Sequence, residues 1–118
     1  MRDHRRLDAF RLAHRLVLLV YRMTRSFPSD ELYGITSQMR RSSVSVVTNI
    51  VEGYGRRTDA DRFRFLDIAF GSLRELGYLI ELSRDLGYLK DDGKNEPYHL
   101  QSRAAAALAA LIQTRAVG

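Results

Sequence analysis

The chain contains no cysteine, which removes disulfides, thiolate metal sites and cysteine nucleophiles together and is compatible with a reducing cytoplasm. Lysine is almost as scarce: only two of the 19 cationic residues, Lys90 and Lys94, are lysines. The basic charge is therefore carried by arginine, the residue suited to planar, bidentate phosphate contacts and to stacking. Long apolar runs are missing too. The opening MRDHRRLDAF has no apolar signal core, and the longest run nearby, Leu16 to Tyr21, is too short to span a bilayer. A cytoplasmic location with no membrane partner is expected.

Histidine is sparse and scattered (His4, His14, His99), with no Glu-x-x-His or His-x-x-x-His pattern to build a bundle metal site, so no metal or other cofactor is expected. His14 reads as a surface or half-buried side chain. GYGRR lacks the spacing and the preceding strand of a phosphate loop. Ser42, Ser43 and Ser45 have no histidine at a predictable spacing for a hydrolase triad and read as small packing residues. Asp59, Asp61, Asp67, Glu75 and Glu81 fall along one helical segment, Asp61 as a cap and the others as solvated or ion-paired positions. An enzyme is not expected.

What is present is the composition of one soluble domain: 118 residues, 45% hydrophobic and 28% charged. The net charge is +5 and the isoelectric point about 10.0, and its distribution is uneven. Residues 1 to 26 carry seven arginines against two aspartates, and residues 36 to 57 carry four arginines against one glutamate. Everything after residue 57 is close to neutral.

Four segments have helical periodicity, and none shows sustained strand alternation. The first spans about 7–26, with Phe10, Ala13, Val17, Val20 or Tyr21, and Thr24 on the apolar face and Arg11, Arg15, Arg22 and Arg25 on the other side. Phe27-Pro28 ends it. The second spans about 30–54, with Ser29 as N-cap, Asp30 and Glu31 in the first turn, and Leu32, Ile35, Met39, Ser43, Val46, Ile50 and Tyr54 as its core face. Gly53 and Gly55 stop it. Thr58 followed by Asp61 is a variant capping box that starts the third helix, about 59–86, whose apolar face is Phe63, Leu66, Phe70, Leu73, Leu76 or Gly77, Ile80 and Ser83. Gly87 suits a left-handed C-cap, and Pro97 suits the first turn of an alanine-rich fourth helix, about 97–115. The expected fold is all-α, an antiparallel up-down-up-down four-helix bundle in a single domain, 1–118. A three-helix arrangement that gives the fourth helix to a neighbouring subunit is the alternative.

FPSDELYGITSQMRRSSVSVVTNIVEGYGR (27–56) followed by RFLDIAFGSLRELGYLIELSRDLGYL (64–89) resembles the bacterial four-helix-bundle family named for proteins encoded in intervening sequences of 23S ribosomal RNA genes. The phrases that carry the resemblance are Phe-Pro-x-x-Glu, Tyr-Gly, Gln-x-Arg-Arg, Asn-Ile-x-Glu-Gly, Arg-Phe and Gly-Ser-Leu-x-Glu-Leu, in that order. The alanine-rich fourth helix departs most from the pattern. The resemblance implies a left-handed up-down bundle that assembles into a homopentamer and binds RNA or DNA. A related branch, the accessory variability determinants of diversity-generating retroelements, consists of basic pentamers that bind nucleic acid and a reverse transcriptase.

Independently of that resemblance, RRSSVSVVTNIVEGYGRR (40–57) places arginine pairs at both ends of a polar middle. Asn49 and Glu52, three residues apart, flank the apolar Ile50, and Ser72 and Glu75 repeat that spacing on the third helix. These four residues are expected to form a packing or assembly network with Gly53, near the Gly53 and Gly55 turn or across a subunit seam. The alternative is a solvated Glu52 and a locally bonded Asn49. Nucleic-acid contacts are expected from Arg11, Arg15, Arg22, Arg25, Arg40, Arg41, Arg56 and Arg57, with shape recognised more than sequence. Most Phe and Tyr fall on apolar faces, which argues against single-strand stacking as the main mode. Two function classes follow: a nonenzymatic nucleic-acid-binding oligomer, and a protein-interaction scaffold whose basic face docks a partner such as a reverse transcriptase. The Ala104 to Ala110 face keeps a ligand-free dimeric coiled assembly open as a third.

Overall fold

The computed structural model describes residues 3–90 and 93–117. They form four α-helices: α1 (Asp8–Met23), α2 (Ile35–Tyr54), α3 (Asp59–Asp85) and α4 (Glu96–Gln113), with short 3-10 turns at the ends of α1 and α4 and before α1 and α2. Each helix packs on its neighbours in sequence, α1 closes the ring against α4, and the diagonal pairs hardly touch. The result is an up-down-up-down four-helix bundle, 46 Å long and 28 × 20 Å across. Its length is set by α3, whose 27 residues rise about 40 Å.

Local chemistry explains most of the helix ends. Thr58 Oγ1 accepts the Asp61 amide at 3.1 Å and caps α3. At the other end Gly87 takes φ +79, its N–H bonds the Arg84 carbonyl at 3.0 Å, and the Tyr88 N–H bonds the Ser83 carbonyl at 2.9 Å. That pair of bonds is a Schellman motif, and Tyr88 folds back so that its ring lies 5.5 Å from Phe27. Pro97 lies in the first turn of α4, where its missing N–H costs nothing.

Two expectations need correction. The second helix begins at Ile35, not near Ser29: Ser29–Glu31 form a separate 3-10 turn, and Gly34, at ψ −118, breaks the path into α2. Glu31 then reaches forward, and its Oε1 accepts the Ile35 N–H at 3.4 Å, which gives the uncapped start of α2 a carboxylate partner. Leu32, assigned to the core, is consequently exposed. On α1 the buried stripe is Ala9, Ala13, Leu16 and Val20 with Leu19 beside it, while Phe10 and Val17 are half-buried and Tyr21 is exposed. Ala13, Val20 and Thr24 of the expected face are buried, and the stripe is turned so that Ala9 and Leu16 take the places expected for Phe10 and Val17.

The core runs the length of the bundle through Leu16, Met39, Val46, Ile50, Leu66, Leu73, Leu76, Ile80 and Leu108. Burying each large aliphatic side chain contributes roughly 1.5 to 3 kcal/mol. Ser83, fully buried among them, donates to the Leu79 carbonyl at 2.8 Å and lies 3.3 Å from the Met39 sulfur, so its hydroxyl is satisfied. Where α2 meets α3, Gly53 allows close approach: a Cβ there would sit 3.0 Å from the Arg62 carbonyl oxygen and 3.2 Å from the Phe65 Cβ.

Candidate nucleic-acid interface

Helix geometry puts Arg11, Arg15 and Arg22 on one stripe of α1, since steps of four and seven residues return to nearly the same face. All three, with Arg25, are exposed. Because α4 lies against α1, Arg15 forms one wall of a groove whose other wall is Lys94, Glu96, His99, Leu100 and Arg103, with a volume of about 280 Å³. The sequence reading missed Lys94, just before α4, and Arg103 on it. They lie some 80 residues from Arg15 in a segment that is neutral on average, and only the ring closure by α4 brings them to the basic stripe.

The two middle arginines point different ways. Arg40 turns inward onto the end of α1 and the turn after it: its Nε donates to Thr24 Oγ1 at 3.0 Å and its guanidinium lies 4.9 Å from the Tyr21 ring centre. Arg41 is exposed and lines a polar groove of about 400 Å³ between α2 and α3 with Gln38, Ser42, Ser45, Ser72 and Glu75. Asn49 Nδ2 donates to the Ser45 carbonyl at 2.8 Å and to Ser45 Oγ at 3.1 Å, and in the groove the Ser45 and Ser72 hydroxyls are 2.9 Å apart. Asn49, Ser45 and Ser72 thus link α2 to α3 one to two turns before Gly53. Ser45 is the middle member of the chain, a place the sequence spacing did not assign to it. Glu52 takes no part in this link: it is exposed and pairs with Arg56 at 3.0 Å. Glu75 lines the same groove and is exposed.

At the α2–α3 turn the arginines are largely neutralised. Arg56 is held by Glu52 and lies 4.6 Å from the Phe65 ring centre, and Arg64, also 4.6 Å from that ring, faces Asp61 at 3.8 Å. Arg62 pairs with Asp59 at 2.8 Å, and Arg115 reaches across from the end of α4 to Asp67 at 2.8 Å. Arg57 makes no ion pair among the described residues.

Pairing divides the expected contacts. A surface ion pair is worth about 0 to 1 kcal/mol, yet a phosphate must still compete with the resident carboxylate for a paired guanidinium. Arg11 (to Asp8, 3.8 Å) and Arg56 are paired, and Arg40 is spent on α1. Arg15, Arg22, Arg25, Arg41 and Arg57 make no ion pair among the described residues, and neither does Arg103. Among the described residues no group of three His, Asp or Glu side chains is placed to hold a metal ion, and no helix is long and apolar enough to cross a membrane.

The bundle is similar to a crystal structure of a protein with unknown function from the S23 ribosomal protein family of Bacteroides thetaiotaomicron. The two share 18% identity and a TM-score of 0.80 over 89% of this chain and 95% of the other. At that identity the likeness shows the fold. A search of the curated proteins finds no match. The model of the 23S rRNA-intervening sequence protein family matches residues 5–110, which takes in all of α1, α2 and α3 and most of α4. The chain belongs to the 23S rRNA-intervening sequence protein family.

Proposed function

We propose that the protein is a nonenzymatic homo-oligomer, a homopentamer, that binds RNA or DNA in the cytoplasm through arginines on α1 and α2. The observation that carries this reading is the set of exposed arginines that make no ion pair among the described residues, Arg15, Arg22, Arg25 and Arg41, with Arg103 facing Arg15 across the α1–α4 groove. Glu96 is the one acid lining that groove among the described residues. Guanidinium groups so placed meet phosphates along a backbone and carry no base readout, so binding follows shape and charge. Assembly multiplies each weak contact: a stripe repeated in every subunit raises the effective concentration at which the next phosphate is met. The family name and that of the structural neighbour both refer to the ribosome, which makes structured RNA the first polyanion to test.

The test is fluorescence anisotropy of a labelled RNA hairpin with the Arg15→Gln/Arg103→Gln double variant and with Arg64→Gln, whose parent side chain is paired with Asp61. The double variant is expected to weaken binding at least tenfold and Arg64→Gln by less than threefold (about 1.4 kcal/mol per tenfold step). Equal losses from both would remove the special standing of the unpaired arginines. Light scattering tests the assembly; a monomeric mass contradicts it.

A further inference from the structure

Tyrosine on a soluble helix bundle usually buries its ring and leaves the hydroxyl at the surface. Tyr78 of α3 and Tyr98 of α4 do otherwise, against the expectation that most Phe and Tyr fall on apolar faces: 61% and 53% of their surface is exposed. Both line one groove of about 510 Å³ between the two helices, together with Arg74, Arg84 and Gln101. The absence of a side chain at Gly77 leaves room there for the end of Gln101. Gln101 crosses the gap to donate Nε2 to the Leu73 carbonyl at 3.1 Å, and a Cβ at Gly77 would lie 2.7 Å from that nitrogen. This bond fixes the groove floor and leaves the tyrosines as its walls.

The ring of Tyr78 makes no aromatic or cation–π contact among the described residues. Arg74, one turn before Tyr78, makes no ion pair among them. Arg84 is steadied by Asn95 at 2.7 Å, and Glu81 is the opposing acid in the groove. Tyr98 in turn lies edge-on to His99, with ring centres 5.8 Å apart. His99 lines the neighbouring α1–α4 groove with Arg15 and Arg103. Helix α4 is therefore a shared wall, with guanidinium groups on one side and exposed aromatic rings on the other.

We propose that the α3–α4 groove receives unpaired bases of a single-stranded segment, stacked on Tyr78 and Tyr98, while the phosphates of the same strand lie toward Arg74 and the α1–α4 groove. This rests on the nucleic-acid reading above and adds to it a preference for RNA that has single-stranded loops or ends. A base offers a π-face whatever its identity, so the groove is sequence-tolerant.

Three labelled RNAs of equal length test it: a single strand, an abasic strand with the same phosphates, and a duplex. Tyr78→Ala and Tyr98→Ala are each expected to lower affinity for the single strand about 5- to 100-fold, to leave the abasic strand and the duplex unchanged, and to be rescued by Tyr→Phe. The chain has no tryptophan and six tyrosines, so intrinsic tyrosine emission of the unaltered protein is a second readout. It is expected to fall on binding the single strand and to stay constant with the abasic one. Unchanged single-strand affinity in both Ala variants, equal losses on the abasic strand, or constant emission would overturn the stacking groove. Salt-dependent duplex binding with no tyrosine effect would sink this inference alone; no binding to any of the three at low salt would sink it together with the proposed function.

Discussion

Replacing Gly53 and Gly71 by alanine, one at a time, tests whether the α2–α3 seam is as close as the geometry says. Both glycines lie inside helices, where alanine is favoured by at most about 1 kcal/mol. At Gly71 a Cβ meets nothing within 4 Å, so that gain should appear nearly whole. At Gly53 the Cβ would lie 3.0 Å from the Arg62 carbonyl oxygen and 3.2 Å from the Phe65 Cβ. Neither is the loose end of a flexible side chain, so α2 and α3 must separate by a few tenths of an ångström. Overpacking of this kind costs about 1 to 3 kcal/mol. The expected balance is a loss of about 1 kcal/mol for Gly53→Ala and a difference of about 2 kcal/mol between the variants. With an m-value of about 2 kcal/mol/M this is roughly a 1 M separation of urea midpoints, read by circular dichroism at fixed protein concentration because assembly shifts apparent stability. A Gly53→Ala midpoint at or above that of the unaltered protein would refute the close seam. A destabilising Gly71→Ala would mean that the open side of α3 is covered in the assembled protein.

Three other expectations concern polar contacts. A double-mutant cycle on Ser45→Ala and Ser72→Ala should give a coupling of about 0.5 to 1.5 kcal/mol; additive losses would mean that the 2.9 Å contact does not join the helices. Arg40→Ala should destabilise the fold by about 1 kcal/mol through loss of the Thr24 and Tyr21 contacts and change RNA affinity less than Arg41→Ala does, so the reverse order would contradict the inward placement of Arg40. Tyr88 donates its hydroxyl to Glu31 Oε2 at 2.8 Å, and this bond, burial and the nearby Glu31 and Asp30 charges raise its pKa above the ordinary 10.0. The folded state thus holds this proton more tightly than the unfolded state. Its contribution to stability is complete below pH 10 and is lost as the pH rises through the folded value. Urea midpoints measured across that range should fall more steeply for the unaltered protein than for Tyr88→Phe, and parallel curves would contradict the raised pKa.

The parts of the fold legible in the sequence are those set by local chemistry. Thr58, Gly87 and Pro97 mark helix ends through hydrogen bonds and dihedral limits within a few residues, and the core face of α2 from Ile35 to Tyr54 is an uninterrupted three-and-four repeat. The start of α2 was illegible because Ser29, Asp30 and Glu31 have the composition of a capped first turn. Gly34 breaks the helix after them, and Glu31 serves Ile35 from outside. On α1 the unbroken apolar run from Leu16 to Val20 allows two phases, and burial of Ala9 and Leu16 in place of Phe10 and Val17 is a choice that the run itself does not make.

Charge counted along the chain finds the arginines of α1 and α2 but says nothing of their partners. Arg56 and Arg57 are adjacent in sequence, yet one is held by Glu52 and Phe65 and the other makes no ion pair among the described residues. The α1–α4 groove and the tyrosine groove both depend on α4 lying between α1 and α3, a relation between residues 20 to 90 positions apart for which one sequence has no periodic signal.

The measurement that bears most directly on the account is the salt dependence of duplex binding by the unaltered protein. Four arginines that make no ion pair among the described residues, Arg15, Arg22, Arg25 and Arg103, predict a slope of log affinity against log salt of about −3 to −4 per engaged protomer on duplex DNA, at roughly −0.9 per phosphate. A flat slope, or no binding at low salt, would contradict the claim that these guanidinium groups form a nucleic-acid interface.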